Sequence, residues 1–407
     1  MTSSSWSEHK LGDLIQINPD ALNKTYPYSE IEYLDISSVG TGFYTEVRRL
    51  KLEEAPSRAK RLVSDGDTII STVRPGNKSY CYLKKTTPRM VVSTGFAVLR
   101  AKKDLLDERF LYYLVSNPAF TEYLVAHEKG AAYPAVGTET IENAIVNIPD
   151  LPTQKKISDI LGSLDDKIEL NRRMNETLEQ MAMALYKYWF VDFGPFSDID
   201  ENGLPIGWRW GTLEEIGYTY KDQVDPTELD YQLPYIGLEH MPKGSISLEE
   251  WEYSDKVSSN KFLFDKGDIL FGKLRPYFKK VGVAPVNGVC STDILVIRPK
   301  SDVFFGLLFA QVIQDEFIDY CSNTSNGTKM PRCDWNQMAK FKLPIPSDSV
   351  LIDFNKKIKS FVGQVISNIH ENRMLIETRD YLLPRLLSGE IEVREAEEQV
   401  EEVLAHA

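Results

Sequence analysis

Two similar α+β domains separated by two long helices, the helices pairing as an antiparallel coiled coil with pseudo-twofold symmetry, are what this sequence predicts. Three observations lead there. A set of short motifs occurs twice, about two hundred residues apart; each copy opens with β-type runs; and each copy closes with a sustained heptad pattern.

The repeat is read residue by residue. Gly66-Asp67 followed by Val73-Arg74-Pro75 returns as Gly267-Asp268 followed by Leu274-Arg275-Pro276, an offset of 201. Val92-Ser93-Thr94 and Arg100 return as Cys290-Ser291-Thr292 and Arg298. Phe120, Tyr123, Gly130, Pro134 and Ile148-Pro149 return as Phe317, Tyr320, Gly327, Pro331 and Ile345-Pro346 at an offset of 197. Lys156-Ile157, Leu164, Ile168, Asn171 and Glu176 return 201 positions on as Lys357-Ile358, Val365, Ile369, Asn372 and Glu377. Offsets this similar imply a duplicated unit with small insertions in its loops.

Within each copy the runs Thr68 to Val73, Met90 to Leu99, Asp268 to Phe271 and Thr292 to Ile297 are rich in β-branched and aromatic residues. Gly, Pro and Asp bound them, which predicts strands. Asp107 to Val125 and Phe304 to Cys321 carry apolar residues at helical spacing, which predicts short helices and completes an α+β domain. A long helix then opens after each Pro-rich stop, Pro149 to Pro152 and Pro344 to Pro346.

Both long helices show a seam with alternating steps of four and three. The first runs Ile157, Leu161, Leu164, Ile168, Asn171, Asn175, Leu178, Ala182, Leu185, Trp189. The second runs Ile358, Val362, Val365, Ile369, Asn372, Ile376, Arg379, Leu383, Leu386. Asn171 and Asn372 stand at equivalent mid-seam positions, where a polar residue costs stability but sets register. Chain order then predicts residues 1–150 as the first domain, 151–192 as its helix, 193–207 as a linker, 208–347 as the second domain, 348–389 as its helix and 390–407 as a tail.

Composition bounds the function. With 407 residues and 42% hydrophobic content, the chain has enough apolar surface for two ordinary cores. No apolar stretch reaches membrane-spanning length and the first residues lack the pattern of a signal peptide, so a cytoplasmic protein is expected. The cysteines, Cys81, Cys290, Cys321 and Cys333, are dispersed and form no C-x-x-C pair; no metal site is expected on this chain. The net charge of −13 excludes a protein that simply coats nucleic acid, yet the charge is uneven. Arg48 to Lys103 holds fourteen basic residues against four acidic, and Lys256 to Lys300 nine against three. The tail from Glu390 has seven Glu and one Arg, and is expected to be a solvated or partner-facing segment.

Catalytic constellations are weak. Asn117-Pro118-Ala119-Phe120 approximates an adenine-methyltransferase motif, but no Gly-rich loop precedes it, and it reads as a helix interruption. Pro149-Asp150 with Asp165-x-Lys167 imitates a nuclease cluster, but Asp165 is expected on the polar side of its helix and Ile366 stands at its counterpart. The five histidines lack ligand spacing, and no phosphate loop exists. No catalytic residue is therefore assigned; the rival to a nucleic-acid reader is a purely protein-binding scaffold.

The run from Leu151-Pro152-Thr153-Gln154-Lys155-Lys156-Ile157, through Leu164-Asp165-Asp166-Lys167-Ile168-Glu169-Leu170-Asn171, to Trp189-Phe190-Val191-Asp192-Phe193-Gly194-Pro195 resembles the central conserved region of specificity subunits of type I restriction-modification systems. Leu382-Leu383-Pro384-Arg385-Leu386-Leu387-Ser388-Gly389-Glu390-Ile391 resembles their distal conserved region. The resemblance covers nearly the whole chain, with Arg379 departing from Leu178 in the seam. It implies two target-recognition domains, each reading half of a bipartite site on double-stranded DNA, and spacer helices that set the distance between the halves. It also implies two methyltransferase subunits and two ATP-driven restriction subunits as partners. S-adenosylmethionine, ATP and Mg²⁺ would sit on those partners and no cofactor on this chain.

The loops after the Gly-Asp strands supply candidate DNA contacts: Arg74, Asn77 and Lys78 in the first domain, Arg275, Tyr277, Lys279 and Lys280 in the second. Arg grips guanine edges with two hydrogen bonds, and Lys neutralises phosphate. The alternative is that Arg74 and Arg275 pair with Asp67 and Asp268 inside the fold. The Gly-centred loops add Tyr133 in one domain and Asn326, Thr328, Lys329 and Arg332 in the other as hydrogen-bond donors. Apolar residues off the seam, Ile160, Leu170, Met174, Met181 and Tyr188, are candidates for binding the methyltransferase subunits.

Overall fold

The computed structural model describes residues 6–130, 133–228, 232–327 and 329–405, a mixed helix-and-sheet chain with two repeated domains. It folds into two compact units. One comprises residues 1–166 and 375–407, the other 167–374.

In the first unit an antiparallel sheet has the strand order Ile15–Ile17, Phe96–Ala101, Thr68–Ser71, Tyr80–Tyr82. Ile69 pairs with Val98 and Ile70 with Ala97, all buried; strands covered on both faces carry continuous apolar runs rather than alternation. A second sheet orders Arg48–Lys51, Glu30–Leu34, Met90–Ser93, Ala59–Leu62, with its central pair parallel. Helices Glu108–Ser116 and Pro118–Ala126 follow, and Asn117 separates them as the N-cap of the second, accepting the Ala119 N–H. The Asn-Pro-Ala-Phe run is thus a helix interruption.

The second unit repeats this plan. Its first sheet orders Gly217–Tyr220, Ile294–Pro299, Ile269–Gly272, Val281–Val283. Its second has the extra edge strand Gln223–Val224 where the first unit makes only the bridge between Ala21 and Arg61. Helices Phe305–Val312 and Asp315–Asn323 complete the domain.

The repeated Gly-Asp strands have a common lock. Asp67, fully buried, takes the Arg100 guanidinium through Nε at 2.7 Å and Nη2 at 2.8 Å; Asp268 takes Arg298 through Nε at 2.7 Å and Nη2 at 2.6 Å. Such two-pronged pairs offset the cost of burying charge. Arg74 and Arg275 are therefore not the partners of these aspartates.

The long helices span Leu151–Tyr186 and Asp348–Ser388. Asp150 caps the first through the Thr153 N–H. The buried Gln154 amide fastens it to its domain, donating to the Pro149 carbonyl at 2.9 Å and accepting the Asp107 N–H at 2.9 Å. Asn355, 201 residues on, does the same with the Gly306 N–H at 2.8 Å and the Asp302 carbonyl at 3.0 Å.

Within the second unit Asn171 donates to Asn372 at 3.0 Å and Asn368 to Asn175 at 2.8 Å, all four buried, so these two segments run antiparallel. The expected seam drifts. Leu375 is buried rather than Ile376, and Tyr186 and Phe190 are buried rather than Leu185 and Trp189. In the first helix the shift to the next residue along follows because seven residues of a straight helix fall about 20° short of two turns, and the turn Lys187–Val191 has π-type hydrogen bonding, which carries the face further the same way. Asp165 is not on a solvated face. In the first unit it accepts from Arg379 Nη1 at 2.9 Å and the Tyr113 hydroxyl at 2.7 Å.

The acidic tail is ordered too. Val393–Ala405 is a helix that buries Ala396 and Val400, because its few apolar residues share one face while the glutamates stay outside. Among the described residues no helix is long and apolar enough to cross a membrane.

Candidate nucleic-acid interface

A pair of backbone segments, repeated in each unit, holds the candidate contact residues. In the first unit Pro75–Asn77 makes one 3₁₀ turn between Arg74 and Lys78, both left-handed at φ 48° and 55°. Proline fixes the first position of the turn, and a non-glycine residue adopts left-handed backbone at a cost that surrounding structure must cover. The covering structure is a short hairpin. Lys129 and Ala135 exchange two N–H···O bonds of 2.9 and 3.0 Å, and the Arg74 N–H donates to the Pro134 carbonyl at 2.8 Å. Gly130, at φ 95°, opens the hairpin; a Cβ there would stand 3.0 Å from the Tyr133 carbonyl oxygen.

The second unit builds the same frame. Arg275 and Lys279, at φ 52° and 49°, flank the turn Pro276–Phe278. Asn326 and Arg332 exchange bonds of 3.0 and 3.0 Å, and the Arg275 N–H donates to the Pro331 carbonyl at 2.8 Å. Gly327 stands at φ 95°. Among the described residues the bonds that join turn to hairpin run main chain to main chain, which is why side-chain reading of the sequence located the loops but not their connection.

The side chains diverge. Arg74, Asn77 and Lys78 are exposed, and no carboxylate among the described residues pairs with the two cations. Arg74 lies 5.5 Å over the ring of Tyr133, which is 76% exposed. In the second unit Tyr277, Asn326 and Lys329 are exposed, and Arg275 is half-buried near the Phe278 ring. Lys279, a candidate phosphate contact, instead pairs with Asp315 at 2.7 Å. Lys280 donates to the Leu238 carbonyl, and burial together with Lys243 lowers the proton affinity of its amine. Arg332 is exposed but held by Asp293 at 3.2 Å. Thr328 lies outside the described residues. The frame also brings forward Met330, 48% exposed at the hairpin position matching Tyr133, which the offset of 197 could have identified.

The helix candidates separate as well. Leu170, Met174, Met181 and Tyr188 are exposed at steps of four, seven and seven, which keeps them on one stripe. Ile160 is buried at 7% exposure and leaves that set, because it lies on the side of the helix packed into the fold.

Comparison with known proteins shows the family of the chain. Residues 3–180 and 205–377 match the family described as type I restriction modification DNA specificity domain. The specificity subunit of the type I restriction enzyme HindI from Haemophilus influenzae is 26% identical, over 95% of this chain and 100% of its own length. The MjaIX specificity subunit from Methanocaldococcus jannaschii is 24% identical, over 96% of this chain and 94% of its own. Among solved structures, the S subunit of a type I restriction-modification system from M. genitalium shares the fold at 14% identity, with a TM-score of 0.52 over 95% of this chain and 97% of that one.

Proposed function

Because the chain belongs to the family of type I restriction-modification DNA specificity domains, we propose that it is the DNA-reading subunit of such a complex, each α+β domain reading one half of a bipartite site. The single observation that carries the reading is the doubled frame of turn and hairpin, which offers different side chains on one backbone scaffold, as two unlike half-sites require. In the first frame Arg74 and Lys78 supply charge to phosphate or guanine while Asn77 supplies hydrogen bonds and Tyr133 stands beside them. In the second, Tyr277, Asn326 and Lys329 take those roles, with Arg275 and Arg332 beside them.

In this reading the two long helices pair as an antiparallel coiled coil about a pseudo-twofold axis and set the spacing between half-sites. Asn171 and Asn372, a hydrogen-bonded pair of repeat-equivalent residues, support it by fixing register. The stripe Leu170, Met174, Met181 and Tyr188 is the surface for methyltransferase subunits. Chemistry belongs to those partners and to restriction subunits, which would bind S-adenosylmethionine, ATP and Mg²⁺; this chain contributes recognition alone. Mapping methylated adenines across the genome with and without the gene tests the reading. A two-part motif should disappear with the gene, and an unchanged pattern would overturn the proposal.

A further inference from the structure

The most exposed large hydrophobic side chain among the described residues is Tyr133, at 76%. Leaving an aromatic ring in water forgoes the stabilisation its burial would bring. The backbone around it is tied by the Lys129–Ala135 bonds and by the Pro134 carbonyl, which accepts the Arg74 N–H, with the left-handed Gly130 at its start. The second unit presents Met330 at the same place in the same frame, 48% exposed. These residues differ in polarity and hydrogen bonding, but both are long apolar bodies. That shared property is what each unit holds out at this position.

Resting on the DNA reading above, we propose that Tyr133 and Met330 are wedges, each pressed into the base stack of its own half-site so that one step of the duplex opens. Apolar side chains, methionine among them, enter base steps in this way, and aromatic rings stack on bases of any sequence. Arg74 supports the assignment. Its guanidinium lies 5.5 Å from the Tyr133 ring centre, so a ring between bases places the cation beside the flanking phosphates, where charge is needed. The wedge also specifies a class of substrate. Opening a step is easiest at pyrimidine–purine steps such as TA and CA, so each half-site should contain one at the wedge position, selected by deformability rather than by contact.

The test uses the full chain. Duplexes that it retains are selected from a random library, and bases of the enriched site are replaced one at a time by 2-aminopurine, which brightens when unstacked. The wild type should brighten one step in each half-site. Tyr133→Ala should abolish the signal in one half-site only and weaken binding about tenfold, equivalent to 1.4 kcal/mol. Tyr133→Phe should keep both signal and affinity, and Met330→Ala should silence the other half-site. Both side chains are exposed, so melting temperature should not move in any variant. No bright step with wild type, signals unchanged in both alanine variants, or loss of binding in Tyr133→Phe would each overturn the wedge. Failure to enrich any duplex would overturn the DNA reading itself, a result distinct from an enriched duplex with no bright step.

Discussion

Lys78 and Lys279 stand at the same place in two equal turns, yet only Lys78 offers its charge to solvent, since Lys279 is spent on Asp315. Phosphate contacts release counterions, so the first frame should dominate the salt dependence of DNA binding. Arg74→Ala with Lys78→Ala should lower the slope of log affinity against log salt by about two units, one per lost contact, whereas Lys279→Ala with Lys280→Ala should change it by less than about one. Titrating salt in a filter-binding assay measures both, and equal slopes would contradict the assignment. Glu179 poses a different question. Burial raises its carboxyl above the ordinary range, opposed by the Ile246 N–H at 3.1 Å and by Lys279, and reinforced by Glu176 and Asp315. A carboxyl whose folded pKa is raised costs stability once ionised, so its contribution falls as pH climbs from about 4.5 through the raised value. Glu179→Gln keeps an acceptor for Ile246 and should stabilise the fold at pH 7 by under about 1 kcal/mol, with the difference vanishing near pH 4 in thermal melts. Neither contrast was legible in the sequence. A repeat aligns Lys78 with Lys279 but is silent on Asp315, thirty-six residues further along the chain.

Repeat-equivalent positions on the long helices carry opposite chemistry. Asp165 and Arg379 form an ion pair in the first unit; their repeat counterparts, Ile366 and Leu178, pack against the apolar core of the second. Removing one partner of a part-buried pair leaves a lone charge, and replacing both with apolar residues of similar size is often neutral. Arg379→Leu should therefore lower stability by about 2 kcal/mol, and Asp165→Ile with Arg379→Leu should recover most of it in a thermal double-mutant cycle. Additive losses would mean that the pair is uncoupled. Outside the seam, Met174→Glu with Met181→Glu should leave the melting temperature unchanged, since both are exposed, yet abolish co-purification with methyltransferase subunits. Retained co-purification would remove this stripe from consideration. Helix existence and extent were readable from heptads and Pro-rich stops. The exact face was not, because seven residues do not make two whole turns and the π-type turn at Lys187 carries no sequence mark.

Insertions offer the test of spacing at the scale of the chain. Seven residues added after Asp166 and seven after Met374, where the two units divide, spare the internal contacts of each and keep the heptads in phase. Each helix gains about 10 Å, or roughly three base pairs of duplex, so methylome sequencing should show the two half-sites moved apart with their own sequences intact. Three base pairs also turn the duplex by nearly a third of a revolution, so activity should fall while the direction of the shift persists. An active variant with the original spacing would exclude a ruler. That the chain holds two repeated domains was readable from the repeat alone. The internal neutralisation of the second frame and the helical tail were not, since both depend on residues that only folding brings near. The frame of turn and hairpin has one more consequence, which concerns how such a protein changes over generations. The bonds that join its turn to its hairpin run main chain to main chain, so they do not use the side chains at the exposed positions. Substitution at Asn77, Tyr133, Asn326 or Lys329 should leave those bonds in place, so that a lineage reading DNA through these residues, as proposed, would acquire a new recognition sequence without first passing through an unstable ancestor.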